Sequence, residues 1–422
     1  MSDSQSSEAA AGNTGPIRLI LILVGVALVV LALVWWKGSG RQAARDTLIK
    51  DYGAEIEVDP IDPSAWVVML KRDDLSDLVE AGALLAKMGS VTTLDLSDCP
   101  QLVSLDGLNQ VQTLAVFLLI GGPELESMAG LTDLPNLSQV SIQSCPKLET
   151  SGDLAGLPKL EMLDLYGSTG LEAIDVSRLS NLTSLTLSDA AELQRLDIKG
   201  LPRLEQLYLE GCRSLTELTN LGDAKALTDL NMSTCHELSR LEGLSSLSEL
   251  RMLDLRNSPA GSNLAELGTL GKLETLRMGG QPELIDLKPL TALPSLVELH
   301  IEACENLVNL EGVPASLASY AAFTYCPKLE SLAGIERAKS LERINLAGCS
   351  ALTDISALES LHSLREVNLG GCSKVSQVDL LLTLPELQIV QLGGSGVPAS
   401  EMSKFQKKKP DVIFDFSGGG EF

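Results

Sequence analysis

The sequence predicts a curved α/β solenoid that is preceded by one transmembrane helix. A leucine pattern recurs about fourteen times at intervals of 22 or 23 residues, and one long apolar segment lies near the N-terminus. Hydrophobic residues make up 45% of the chain, whereas aromatic residues make up only 3%. Thin layers filled by aliphatic side chains fit this composition better than one large globular core.

The apolar segment covers residues 17–36 and reads IRLILILVGVALVVLALVWW, with Arg18 as its only charge. A helix of this length measures about 30 Å, which is the thickness of the hydrocarbon layer of a bilayer. A cleavable signal peptide is the alternative, but its apolar stretch would be shorter and a small-residue cleavage site would come directly after it. The segment therefore predicts a single-pass anchor after a disordered tail at 1–16.

The orientation of this anchor rests on two arguments that conflict. Lys37, Arg41, Arg45 and Lys50 come after the segment, and such a cluster favours the cytoplasmic side. Long domains, however, translocate largely regardless of their charge, and a single N-terminal span commonly exports the domain attached to its C-terminal end. We expect the repeats outside the cytoplasm, in a periplasmic or extracellular position, and the cytoplasmic orientation stays open.

The repeat reads L-x-x-L-x-L-x-x-C-x-x-L-x-x-L-x-x-L, most clearly from Leu341 and from Leu364. The alternation in L-x-L places apolar side chains on one face of a short strand, and the later leucines, three apart, line a helical or extended return. One such coil cannot bury its own edge, so neighbouring coils must stack into a parallel sheet. The repeats begin at Val91, Leu114, Leu137, Leu160, Leu182, Leu204, Leu227, Leu250, Leu273, Leu296, Ala318, Leu341, Leu364 and Leu387.

This pattern resembles the leucine-rich repeat family over residues 91–397. Cysteine at the ninth position is similar to the cysteine-containing class known from F-box proteins, whereas the short return LTDISALESL looks more like the internalin type. The resemblance implies a horseshoe-shaped, bacterial-type solenoid of about fourteen repeats. It implies no particular activity.

All eight cysteines occupy the ninth position of a repeat, where the chain turns inward after the strand. We interpret them as small packing residues in a ladder. No C-x-x-C pair suggests a metal site. Cysteines in adjacent repeats should lie about 4.8 Å apart, which is within disulfide range, but parallel Cβ directions disfavour the bond.

The ends of the solenoid need caps that cover the last core layers. Residues 37–59 are predicted to be a juxtamembrane linker, with a short helix near 43–52 and a strand near 54–58. Residues 60–90 are predicted to form an irregular first coil and an N-terminal cap, whose amphipathic helix turns Leu75, Leu78, Val79 and Leu84 inward. Residues 398–422 are predicted to be a C-terminal cap and tail, with a helix and a closing strand.

The sequence contains no recognisable catalytic motif, so we expect neither enzymatic activity nor a cofactor. Glu298, His300 and Glu302 alternate on one strand, but alternate side chains lie nearly 7 Å apart, so we expect a polar binding surface rather than a metal site. The net charge of −24 and the pI near 4.5 make nucleic acid an unlikely partner.

The surface open to a partner is the concave face, which we define as the third, fifth and seventh positions of the repeats. These positions point away from the core and are expected to be free of packing roles. Tyr, Met and Arg on this face are residue types enriched at protein interfaces. The predicted binding residues are Val116, Leu118, Ile120, Tyr166, Tyr208, Met252, Arg256, Arg277, His300 and Tyr320. The first three form an apolar triplet that either the cap or a partner would cover.

We therefore predict a membrane-tethered interaction scaffold that binds a protein or peptide on its concave face. A structural envelope spacer, which only holds distance from the membrane, is one alternative. A non-catalytic subunit of a ligase-type enzyme complex is another.

Overall fold

A computed structural model of the protein describes residues 38–154, 156–259 and 264–417. Helix α1 covers 38–52 within this range, α2 covers Val79–Met88 and α3 covers Met402–Lys408. The strands are β1 Glu55–Val58, β2 Trp66–Lys71, β3 Val91–Asp98, β4 Val116–Ile120, β5 Gln139–Gln143, β6 Met162–Asp164, β7 Ser184–Thr186, β8 Arg195–Asp197, β9 Gln206–Tyr208, β10 Glu217–Thr219, β11 Asp229–Asn231, β12 Met252–Arg256, β13 Thr275–Gly279, β14 Glu298–Glu302, β15 Tyr320–Thr324, β16 Arg343–Asn345, β17 Glu366–Asn368, β18 Ile389–Gln391 and β19 Ile413–Asp415. Short 3₁₀ helices cover Leu108–Gln110, Leu221–Asp223, Leu244–Ser246, Leu264–Thr269, Lys288–Leu290, Ile335–Arg337, Ser356–Ser360, Asp379–Thr383 and Ala399–Glu401.

The predicted solenoid of stacked parallel strands is confirmed. Within the described residues, seventeen strands form one sheet, in which β2 to β7, β9 and β11 to β19 pair in parallel in chain order. The register joins equal positions of successive repeats, as when Leu253 pairs with Leu276 and Leu276 pairs with Leu299. The strands β8 and β10 form a separate small sheet in the return segments.

The core consists of columns of aliphatic side chains that run through all repeats. In the repeat that begins at Val91, the buried residues are Val91, Leu94, Leu96, Cys99, Leu102, Leu105, Leu108 and Val111. The last four lie three residues apart, which matches the three residues per turn of a 3₁₀ helix rather than the 3.6 of an α-helix.

The return segments of the repeats are not α-helical, so the α part of the predicted α/β class is wrong for the repeats. They are 3₁₀ or extended, and the described α-helices lie only at the two ends of the solenoid. A return of about a dozen residues that must bury every third side chain is too short and has the wrong period for a regular α-helix.

The eighth residue of the repeat has a left-handed backbone in thirteen of the fourteen predicted repeats. Its φ lies between 51° and 79°, and six of these residues are not glycine. They are Ser144, Asp189, Thr234, Asn257, Ala303 and Tyr325. This conformation turns the chain off the strand so that the ninth residue points into the core, and it costs a non-glycine residue about 1–2 kcal/mol.

The fifth position carries a structural role that the sequence analysis did not assign to it. Six Asp or Asn residues there accept a hydrogen bond from the backbone N–H two residues later, at 2.8–3.1 Å between nitrogen and oxygen. They are Asp95, Asp164, Asn231, Asp254, Asn345 and Asn368. These side chains satisfy backbone donors at the end of the strand, as Asx turns do. The fifth column is therefore only partly free to contact a partner.

All eight cysteines are buried free thiols. Five of them donate to a backbone carbonyl of the preceding coil, for example Cys349 to Phe323 at 2.9 Å and Cys372 to Leu346 at 3.1 Å. Burial raises the pKa of Cys372 to about 12, so the group stays a neutral thiol at pH 7. The cysteines act as packing residues that also satisfy backbone acceptors.

The N-terminal cap begins before residue 60. Helix α1 buries Ala44, Leu48 and Tyr52 in the core, and β1 pairs antiparallel with β2. Residues 38–59 therefore cover the first core layer, although the sequence analysis assigned 37–59 to a linker. The short helix and the strand predicted inside that segment are both present.

The predicted inward face of the capping helix is wrong in part. Helix α2 starts at Val79, so Leu75 and Leu78 are buried ahead of it and Val79 points outward with 52% of its surface exposed. The buried side of α2 carries Ala81, Leu85 and Met88 instead. At the other end, Phe405 of α3 stacks on Phe414 of β19 with 5.5 Å between ring centroids, which closes the last layer.

The predicted single-pass membrane localisation is corrected. Among the residues that the structure describes, no helix has both the length and the apolar character needed to cross a bilayer, for which about 20 apolar residues are required. The segment 17–36, from which the anchor was predicted, and the tail 1–16 lie outside the described residues.

The leucine columns should dominate stability. Leu346 is fully buried in its column, so we expect Leu346→Ala to lower the free energy of unfolding by about 2–5 kcal/mol through lost burial and a residual cavity. Denaturant titration monitored by circular dichroism measures this. The exposed Glu359→Gln is the control and should change little. Equal effects of the two substitutions would contradict the assigned register.

Replacing a non-glycine residue at the left-handed eighth position by glycine should stabilise the protein. Thr234 has a φ of 58° and is β-branched, so Thr234→Gly should raise the free energy of unfolding by about 1 kcal/mol. At the same position of a later repeat, Gly371→Ala should lower it by about 1 kcal/mol, because its φ is 74° and the new Cβ would lie 3.3 Å from the backbone nitrogen of Gly348. The midpoints of denaturant titrations measure both effects. Destabilisation by Thr234→Gly would contradict the inference that the backbone of Thr234 is strained.

Candidate binding site

A hollow of about 360 Å³ lies on the concave face where the strands β12 to β16 run side by side. We call it the arginine hollow. It is lined by Arg256, Arg277, Glu298, His300, Ile301, Glu302, Tyr320, Ala322, Thr324, Arg343 and Asn345. Four of the ten predicted binding residues, Arg256, Arg277, His300 and Tyr320, therefore meet in one place.

The register of the sheet explains how these side chains come together. Arg277 pairs with His300, His300 pairs with Ala322, and Ala322 pairs with Asn345 along the fifth column. Ala322 has the smallest side chain in this row and is only 6% exposed. The longer side chains beside it extend further from the sheet and form the sides of the hollow. The hollow thus exists because a small residue interrupts a column of longer ones.

A buried carboxylate holds one side of the hollow. Asp254 is only 1% exposed, and it accepts hydrogen bonds from Nε and Nη2 of Arg256 at 2.7–3.1 Å. Nη1 of Arg277 lies 3.9 Å from the same carboxylate. The hydrogen bonds that Arg256 donates to Asp254 raise the pKa of Arg256. A buried carboxylate needs such partners, so Asp254 fixes Arg256 in place.

The centre of the hollow contains two buried polar atoms without a partner among the described residues, Nε of Arg277 and Nε2 of His300. The His300 ring lies 4.9 Å from the Tyr320 ring, with the planes tilted by 54°. Burial and the charge of Arg277 lower the pKa of His300 to about 4. The imidazole is therefore neutral at pH 7 and can donate or accept a hydrogen bond.

The far wall of the hollow combines an aromatic ring with a third guanidinium. Arg343 lies over the Tyr320 ring at 5.2 Å from its centroid, in a cation–π arrangement. Nδ2 of Asn345 donates to the hydroxyl of Tyr320 at 3.3 Å. These contacts orient both side chains without using the hydrogen-bond donors of Arg343.

The other predicted binding residues lie outside the hollow. The apolar triplet is on β4, where Val116 and Leu118 are half-buried and Ile120 is 50% exposed. Since β4 and β12 are six strand spacings apart, about 29 Å separates the triplet from the hollow. No described segment of the cap covers Ile120. Tyr166 lies just after β6 and is 46% exposed, whereas Tyr208 on β9 and Met252 at the start of β12 are half-buried.

Several residues that shape the site were not among the predicted binding residues, chiefly Asp254, Ala322, Arg343 and Asn345. The signal for Ala322 was an alanine in a column that is otherwise mostly polar. Among the described residues, no group of three His, Cys, Asp or Glu side chains is placed to hold a metal ion.

The low pKa of His300 predicts a loss of stability in acid. The neutral ring stabilises the folded state fully above pH 6.5, and this contribution is lost as the pH falls toward about 4. Comparing wild type with His300→Gln by denaturant titration cancels the other titrating groups. From pH 7 to pH 5, the unfolding free energy of the wild type should fall by about 1 kcal/mol more than that of the variant, a value discounted for partial solvent access. An equal fall would contradict the buried neutral ring.

Comparison with known proteins identifies the fold. No protein-family model and no curated protein sequence matches the chain. A solved leucine-rich repeat protein of Leptospira interrogans is 18% identical with a TM-score of 0.50, and the match covers 81% of this chain and all of that one. An internalin of Listeria monocytogenes is 17% identical with a TM-score of 0.45 over 81% of this chain and 88% of that chain. A second Listeria protein, the functional domain of InlJ with its cysteine ladder, is 16% identical with a TM-score of 0.47 over 69% and 73%. The chain therefore has the leucine-rich repeat fold.

Proposed function

We propose that this chain is an interaction scaffold that binds a protein or peptide partner along its concave face, with the arginine hollow as one part of the contact surface. The observation that carries the proposal is the convergence of guanidinium, imidazole and phenol groups on one depression. Two of its buried polar atoms, on Arg277 and His300, lack partners within the described chain. A buried donor without an acceptor costs about 1–3 kcal/mol, and a bound partner would recover that cost.

The residue types at the hollow support a protein or peptide ligand. Tyrosine and arginine are enriched among the residues that dominate binding energy at protein interfaces, especially near their desolvated centres. The surrounding concave face adds Tyr208 and Met252, which are half-buried side chains of interface type. The face also carries eight acidic side chains against three arginines, which disfavours a phosphate backbone.

A binding role is favoured over catalysis by the arrangement of groups around His300. A nucleophile and its general base would be hydrogen-bonded to each other. Within the arginine hollow, no hydroxyl or thiol makes such a bond to His300; its neighbours are the Tyr320 ring and Arg277.

The proposed scaffold comprises fourteen repeats that begin between Val91 and Leu387. Its N-terminal cap starts at residue 38, and its C-terminal cap starts near residue 398. A binding experiment should therefore use the full chain or keep residue 38 onward, because α1 and β1 bury part of the core.

Selection from a displayed random peptide library on the purified chain tests the proposal. Tyr208→Ser combined with Met252→Ser should weaken selected peptides at least about tenfold, because half-buried contact area is lost. The matched control is Ile285→Ser with Val308→Ser, two partly exposed apolar residues of the return segments, and it should leave affinity unchanged. Fluorescence anisotropy measures the affinities, and circular dichroism checks the fold. Weakening by the control pair alone, or by both pairs equally, would contradict the proposal.

A further inference from the structure

We infer that the arginine hollow binds a carboxylate of the partner, held by Arg277 and Arg343 beside His300. The inference deepens the proposed function and rests on it, because it names the chemical group that the concave face selects. The carboxylate can belong to an Asp or Glu side chain or to a peptide C-terminus, and amidated and free peptides separate these sources.

The few cations of the concave face all lie at the arginine hollow. In a chain with a net charge of −24, the only Lys or Arg residues at the third, fifth and seventh positions of the fourteen repeats are Arg256, Arg277 and Arg343. All three line the arginine hollow. The long-range repulsion between an acidic protein and an acidic peptide is screened beyond about 8 Å at physiological ionic strength, so contacts within the hollow decide the binding.

The three guanidinium groups of the hollow differ in how far their hydrogen-bond donors are already used. Arg256 is occupied by the buried Asp254 through three short contacts. Arg277 reaches that carboxylate only at 3.9 Å, and its buried Nε has no partner among the described residues. In the same part of the chain, no carboxylate lies within ion-pair distance of Arg343, which stacks on Tyr320. Two guanidinium groups therefore keep donors free, and a guanidinium binds a carboxylate with two parallel hydrogen bonds.

The glutamates of the hollow narrow the ligand class. Glu298 and Glu302 also line it, and neither forms an ion pair with Arg277 or Arg343. A phosphorylated side chain carries a charge of about −1.5 to −2, so Glu298 and Glu302 would repel it more strongly than they repel a carboxylate with its single charge. A peptide carries one carboxylate among amide N–H donors, so its carboxylate can bind to the arginines while its amides face the glutamates. This combination of groups favours a carboxylate in a peptide over a phosphorylated residue.

The neutral imidazole supports the same ligand. Nε2 of His300 is buried beside Ala322 without a partner among the described residues, and in one tautomer this nitrogen donates a hydrogen bond. Ala322 leaves open space beside it, because that side chain ends at Cβ. A carboxylate placed over Ala322 can accept from the imidazole as well as from the guanidinium groups.

Peptides selected on the full chain serve as probes, each made with Asp or Glu and with the matching Asn or Gln, and with a free or an amidated C-terminus. The Asp to Asn or Glu to Gln change should weaken binding at least about tenfold, the loss expected for a charged hydrogen-bonded pair. If amidation alone causes that loss, the bound carboxylate is the peptide terminus. Arg277→Gln and, separately, Arg343→Gln should each remove most of the difference between acid and amide peptides.

The control for charge is Arg240→Gln, an exposed arginine of a return segment, which should preserve the preference. Circular dichroism verifies folding of each variant, and Arg343→Gln provides the test if Arg277→Gln does not fold. Selected peptides that depend on Tyr208 and Met252 but bind equally as acid and amide would overturn the carboxylate inference and leave the proposed function intact. A preference for phosphoserine over aspartate would overturn it too. Peptides indifferent to all concave-face variants would overturn both proposals.

Discussion

The in-register pairing of parallel strands is the constraint on which the whole molecule depends. Each residue of a strand lies beside the residue at the same position of the next repeat, as in the row of Leu253, Leu276 and Leu299. A side chain therefore has its own column as its main environment. Leucines form the core because like shapes pack at the spacing of about 4.8 Å, and the thiols and the fifth-position Asx residues repeat their hydrogen bonds for the same reason. A functional site arises where neighbouring repeats differ in an outward column.

Much of the fold could be predicted because the repeat period determines which residues of neighbouring strands pair. The interval of 22 or 23 residues placed the strands, and the ninth-position cysteines placed the inward turn. The type of return was not predicted, although a leucine at every third residue matches the 3₁₀ period. The left-handed conformation at the eighth position could not be predicted, because residues as different as Thr234 and Tyr325 occupy that position. The backbone requires that conformation even where the side chain opposes it.

The ends and the site were harder to predict for a different reason, since neither repeats. Helix α1 has no counterpart in the periodic region, so nothing in its sequence marked it as part of the core. The columns placed Arg277, His300 and Tyr320 on one face, but the pattern could not tell that Ala322 leaves a hollow between them. It also could not separate Asp254, which is buried under Arg256, from an ordinary exposed carboxylate. Burial of that kind depends on the side chains of two neighbouring repeats at once.

The pairing of each inner strand with only its two neighbours also determines how the molecule responds to tension. A force applied between the two ends acts on the interfaces in series, so coils detach one after another from the ends inward. Release of one coil of about 23 residues adds roughly 75 Å of extended chain after subtraction of the strand spacing. The solenoid therefore lengthens in discrete increments under load, while the coils that remain keep the registry of their columns. A ligand held across β12 to β16 would bind five of these coils together, so the middle of the array would yield last.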